Sequence, residues 1–186
     1  MRVITGSARG CRLTTLPGED TRPTTDKVKE GLFSAIQFDI EGRRVLDLYA
    51  GSGQLGIEAL SRGASGCVFV DRNPEATSVI KQNLQKAGLM SRSQIVATDA
   101  LSYLERPKDR FDLIFLDPPY SAGLLLPSLQ KAAAFVNDGG IIVCESDGTA
   151  SLPDKVDRFT LDRVRKYGRI QVHIYRYLVT EGEDTE

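Results

Sequence analysis

The sequence predicts an α/β fold, a doubly wound and mostly parallel sheet of seven strands with helices on both faces. Three observations carry that expectation. From Arg44 onward, short apolar runs alternate with amphipathic stretches, as strands joined by crossover helices require. Val45 to Gly56 reads as a buried strand, a tight glycine turn and the opening of a helix. After Asp147 the alternation stops, and two long strand patterns, Asp157 to Val164 and Arg169 to Leu178, meet at Tyr167-Gly168 as an antiparallel hairpin closing one sheet edge.

In chain order, Arg2 to Thr5 and Cys11 to Thr15 flank Gly6-Ser7-Ala8-Arg9-Gly10 and predict a small β-hairpin extension over residues 1–20, outside the main sheet. Pro17-Gly18 ends it, and Pro23 holds Arg22 extended. Thr24 or Thr25 then caps a helix reaching about Phe38, with Val28, Leu32, Phe33 and Ile36 on one face. Strands are expected near residues 44–49, 67–71, 93–98, 111–116 and 140–145, and helices near 54–62, 74–87, 99–105 and 123–136. Gly63, Gly88 and Gly139 punctuate their ends. Residues 180–186 read as an acidic, frayed tail, and residues 1–186 as one domain.

Composition narrows the chemistry. Of the 186 residues 41% are hydrophobic and 26% charged, an ordinary globular balance. The apolar runs are too short to span a bilayer and the start carries Arg2, Arg9 and Arg12, so a cytoplasmic protein without a membrane partner is expected. Cys11, Cys67 and Cys144 are odd in number and far apart, and His173 is the only histidine, so no metal site and no histidine-based triad is expected. Net charge is −1, yet residues 1–29 carry +3 and residues 158–176 carry +5. Basic surface at both ends is compatible with a phosphate backbone as well as with plain solvation.

The glycine turn is a nucleotide-cofactor site in outline. Gly51-x-Gly53-x-x-Gly56 matches the dinucleotide fingerprint, with Asp71 about 20 residues on where a ribose-binding acid belongs. Asp47 at the strand end would repel a pyrophosphate but attract the ammonium and sulfonium of S-adenosylmethionine. The second motif, Asp117-Pro118-Pro119-Tyr120, follows a buried strand from Phe111 to Leu116 and emerges in the same crevice. Two consecutive prolines stiffen the turn, so the Asp117 carboxylate and the Pro118 carbonyl become a rigid pair of acceptors beside the Tyr120 ring. Such a pair suits a planar exocyclic amine on a nucleobase, favours its rehybridisation and frees its lone pair for an in-line methyl. Tyr120 offers a stacking face, and the base must leave its stack to enter.

These residues carry a resemblance. Asp117 to Tyr120 resembles motif IV of amino-methyltransferases that act on nucleic acids, and Asp47 to Gly53 resembles their motif I. With Arg22-Pro23-Thr24-Thr25-Asp26, Leu32-Phe33 and Ala59-Leu60-Ser61-Arg62-Gly63-Ala64, the chain from Arg2 to about Tyr177 is similar to the bacterial 16S ribosomal RNA guanine-N2 methyltransferases. That resemblance implies a Rossmann-like class I methyltransferase fold, S-adenosylmethionine as cofactor, and 16S rRNA or a partly assembled small ribosomal subunit as partner. It implies that Asp117, Pro118, Pro119 and Tyr120 are catalytic. It also implies that Asp47, Tyr49, Ala50, Gly51, Ser52 and Gly53 cradle the methionine end, that Asp71 with Arg72 meets the ribose, and that Asp99 with Ala100 meets the adenine. Arg22 and Thr24 would lie over the cofactor or the incoming base, and Arg9, Arg12, Lys29 and Tyr120 would complete the RNA contacts. Asp71 is one methylene shorter than the glutamate usual at its place, and Lys29, Gly31 and Ser34 stand where arginine, alanine and asparagine are usual.

Three rival readings share some of these features. A DNA adenine-N6 methyltransferase shares motif IV but needs a target-recognition domain that 186 residues do not accommodate. An NAD-binding oxidoreductase fits the glycines but not Asp47. A non-catalytic RNA-binding factor would keep the pocket without needing Asp117.

Overall fold

The computed structural model describes residues 1–16, 26–105 and 109–177. Arg22 and Thr24, the linker around them and the acidic tail therefore lie outside the described residues.

The sheet is built on β1 (Arg44–Leu48), whose apolar residues are covered on both faces. β2 (Gly66–Asp71) and β3 (Ser93–Ala97) pair parallel on one side of it. β4 (Phe111–Leu116) and β5 (Val136–Ser146) pair parallel on the other. The strand order β3-β2-β1-β4-β5-β8-β7-β6 reverses between β1 and β4, so a crevice opens there at the carboxyl ends of the strands. β7 (Phe159–Tyr167) and β8 (Ile170–Tyr177) form the expected hairpin, with β8 antiparallel to β5. Among the described residues the sheet has eight strands and not seven. Lys155–Val156 forms a two-residue β6 against Phe159 and Thr160, and two residues are too few to show a period in sequence.

Two layers of helix cover the sheet. α1 (Asp26–Ala35), α2 (Gln54–Ser61) and α3 (Pro74–Ala87) pack their apolar residues on Val45, Phe69, Phe115 and Val143. α4 (Ala100–Tyr103) and α5 (Leu125–Ala132) pack on Leu46, Ile114, Leu116 and Cys144. Asn73 caps α3 by accepting the Glu75 amide, Pro74 occupies its first position, and Gly88 at φ +70° ends it. Gly31 has a different reason to lack a Cβ, which would lie 2.1 Å from the Tyr167 hydroxyl oxygen. The middle of α1 thus rests directly on Tyr167, at the tip of the β7–β8 hairpin.

The N-terminal segment stands outside the main sheet and packs on α2. It holds a single antiparallel bridge, Arg2 with Arg12, flanked by Val3 N–H donating to the Cys11 carbonyl at 2.9 Å. The segment is a strap laid along α2. Ile4 and Thr5 amides donate to Glu58 at 2.8 and 3.0 Å, and the Ala8 amide donates to Ser61 Oγ at 3.0 Å. Val3, Ala8 and Leu13 are buried in the core. Among the described residues, no helix is long and apolar enough to cross a membrane.

Candidate active site

The loop after β1 is held from three sides. Tyr49 adopts φ +66°, and Gly51 and Gly53 adopt +53° and +78°, conformations that bend the chain sharply from strand into α2. Asp47 Oδ2 accepts the Gly56 amide at 2.8 Å, pinning the first turn of α2. Asp71 Oδ2 accepts the Gly51 amide at 2.9 Å and its Oδ1 accepts the Asn73 amide at 2.8 Å, tying β2's end to the same loop. From α3, Asn83 donates to the Ser52 carbonyl at 2.9 Å. Tyr49 and Ser128 hydroxyls sit 2.6 Å apart, which fixes the ring, and burial raises the Tyr49 pKa.

A cavity of about 400 Å³ opens over this loop. Of the residues named from sequence, Tyr49, Gly51, Asp71, Arg72, Asp99, Ala100, Asp117 and Pro119 line it. The ends of β1, β2, β3 and β4 thus converge on one space. Sequence reading did not name Leu16, Val70, Asn73, Ala76, Ala122 or Leu124, which complete the wall. Asp71, Asp99 and Asp117 put three carboxylates against the single guanidinium of Arg72 in the lining, a field that suits a cationic ligand and opposes a pyrophosphate. The volume is within the range of ordinary cofactor sites. Asp71 can also accept ribose hydroxyls, because a carboxylate offers about four lone-pair sites. Asp99 caps α4 by accepting the Ser102 amide at 3.1 Å, which holds it and Ala100 in the cavity wall.

Other residues fall elsewhere. Asp47, Ala50, Ser52 and Gly53 are buried behind the cavity wall, where they shape the loop. Burial raises the Asp47 pKa to about 7, against the hydrogen bond from Gly56 that lowers it and the neighbouring Asp71 charge that raises it further. The folded state therefore holds a proton that the unfolded chain releases, so stability is greatest below the ordinary carboxyl pKa and is lost as pH rises toward 7. Asp47→Asn keeps an acceptor for Gly56 and is expected to remove this loss. Its melting temperature should exceed that of the wild type by a margin that grows, by several degrees, from pH 5 to pH 8; a constant margin would refute the assignment.

Lys29, expected at the RNA, is interior. It is 1% exposed, its Nζ lies 3.4 Å from Glu58 Oε2 and it donates to the Arg2 carbonyl. Burial lowers its pKa, opposed chiefly by the Glu58 charge. Arg9 and Arg12 are exposed on the strap. Arg9 sits in the turn that packs on Ser61, the far end of the eight-residue α2 from the crevice, about 12 Å along the helix axis.

Motif IV forms a partition. Pro118 is buried, Asp117 and Tyr120 are half-buried, and the Tyr120 hydroxyl donates to Glu145 Oε1 at 2.9 Å. Beyond the partition is a second cavity of about 260 Å³, which shares only Pro119 and Leu124 with the first.

A family model described as "Conserved hypothetical protein 95" matches residues 1–176. The chain belongs to that family. The relatives described next each match 95% of this chain. "Putative rRNA methyltransferase YlbH" of Bacillus subtilis is 44% identical over 95% of this chain and 98% of its own. "Ribosomal RNA small subunit methyltransferase D" of Escherichia coli K12 is 32% identical over 95% of this chain and 89% of its own. Among solved structures, "Putative methyltransferase yhhF from Escherichia coli" superposes with a TM-score of 0.86 at 31% identity, over 95% of this chain and 97% of that one. The fold of the family is the Rossmann-like methyltransferase fold that the two motifs implied.

Proposed function

We propose that this protein is an S-adenosylmethionine-dependent methyltransferase that modifies the exocyclic N2 amine of a guanine in 16S ribosomal RNA of the small subunit. The observation that carries the reading is the position of Asp117-Pro118-Pro119-Tyr120, a rigid partition between an acid-lined cofactor cavity and a second chamber able to admit a base. The rRNA methyltransferase names of the full-length relatives support it. The cofactor, when bound, supplies an electrophilic methyl. Asp117 and the Pro118 carbonyl accept the two amine hydrogens and orient the lone pair, and Tyr120 gives the base a flat wall. Incubation with methyl-labelled cofactor and small-subunit RNA or particles, followed by nucleoside mapping, is expected to place the label on guanine N2. Label on DNA adenine would favour the rival methyltransferase, and no transfer to any nucleic acid would favour a binding factor.

Two exposed basic surfaces are available to the RNA backbone. Arg9 and Arg12 lie on the strap, whereas Arg165, Lys166 and Arg169 lie at the tip of the β7–β8 hairpin. Gln171 pairs with Ser146, the last residue of β5, so this tip stands at the crevice edge of the sheet. Alanine at all three tip positions is expected to raise KM for RNA and to flatten the salt dependence by a slope of about 2–3, with kcat and cofactor binding kept. Alanine at Arg9 and Arg12 should flatten it by less than about 2. An unchanged slope in either variant removes that surface from the interface.

A further inference from the structure

The second cavity is lined by an acidic side chain that the reaction as described does not use. Its far wall includes Glu145 and Ser146 of β5, with Tyr120, Pro118, Leu125 and Leu152 around them. Glu145 is 1% exposed. Leu116, the last residue of β4, pairs with Cys144 of β5, so Asp117 leaves the end of β4 beside the stretch of β5 that carries Glu145. Asp117 lines the first cavity and Glu145 the second, one on each side of the motif IV partition.

Burying a carboxylate is costly, so its place beside the base chamber calls for a reason. A carboxylate only accepts hydrogen bonds and offers about four sites, so the bond from Tyr120 does not exhaust it. A chamber with such a group in its wall favours a base edge that donates. Beside its N2 amine guanine presents N1–H, a donor. Beside its N6 amine adenine presents N1 as a bare acceptor, and cytosine presents N3 likewise.

We propose that Glu145 is the specificity-determining residue of the base chamber, accepting guanine N1–H while Asp117 and the Pro118 carbonyl hold the adjacent N2 amine. This rests on the guanine-N2 reading above. It accounts for how a motif IV of the kind shared with adenine methyltransferases is directed to guanine, since an edge acceptor facing the carboxylate leaves two lone pairs opposed in a desolvated site.

The test compares guanine with 2,6-diaminopurine at the methylated position of ligated small-subunit RNA. Diaminopurine keeps the 2-amine but carries an acceptor at N1. The wild-type protein is expected to prefer guanine in kcat/KM by at least about a hundredfold. Glu145→Gln, whose amide can donate to N1, should narrow that ratio at least tenfold. Tyr120→Phe, which cuts the bond to Glu145 but leaves the carboxylate, should retain it. If Glu145 merely fixes Tyr120, then Glu145→Gln slows both substrates equally and the ratio stays constant, which overturns the proposal. Thermal shift with S-adenosylhomocysteine checks that each variant is folded. Methyl on adenine from the wild type would overturn both readings; methyl on guanine with a constant ratio overturns this one alone.

Discussion

Asp117→Ala is expected to lower single-turnover methyl transfer at least about a hundredfold while S-adenosylhomocysteine still binds. The magnitude follows from what the carboxylate does. It is half-buried at the end of β4, where the double proline prevents the turn from relaxing around a missing side chain. Its acceptor is worth most when the amine rehybridises, so its loss falls on kcat more than on KM. Cofactor binding loses one of three carboxylates in the lining and retains Asp71 and Asp99, so a modest drop in affinity is the expected companion. Asp117→Asn keeps a carbonyl acceptor and should lie between wild type and alanine. Unchanged turnover in Asp117→Ala would remove the residue from catalysis.

The largest effect on stability is expected at Glu58. Its carboxylate is fully buried and meets Lys29 Nζ at 3.4 Å, Arg62 Nε at 2.8 Å and the amides of Ile4 and Thr5. Glu58→Ala leaves a buried ammonium uncompensated and two strap amides without their acceptor, a loss of about 3–5 kcal/mol. For a chain of this size the melting temperature should fall by roughly 10 °C or more. Lys29→Met in the Glu58→Ala background should recover part of the loss, because the desolvated cation is then gone. A double variant no more stable than Glu58→Ala would show that the amides, and not Lys29, carry the effect.

The layout of the cavity was legible because it follows from topology. Asp71, Asp99 and Asp117 each follow an apolar run, and acids at the carboxyl ends of parallel strands share one crevice by construction. What the side chains do there was less legible. Asp47 lies in a five-residue strand covered on both faces, where no polar alternation marks which way a residue points. It therefore read as a ligand group, while the structure gives it to the Gly56 amide. Lys29 resembled a surface cation, since its partner Glu58 is brought to it only by the packing of α1 on α2. Tyr49 at positive φ left no trace, because that conformation is signalled by glycine or asparagine. Glu145 was within reach. A lone acid in the apolar run from Ile141 to Ser146, at the carboxyl end of its strand, obeys the same rule that picked out Asp117.

The strap's attachment has a consequence for biogenesis. Glu58 and Ser61, which anchor its amides, are translated 53 or 54 residues after the groups they bind. The leading segment therefore leaves the ribosome unanchored and docks only after the first βα unit has been made, a late long-range closure. Trimming those residues would leave anchoring groups within α2 stranded, so such a deletion would test assembly of the domain before it tested any grip on RNA.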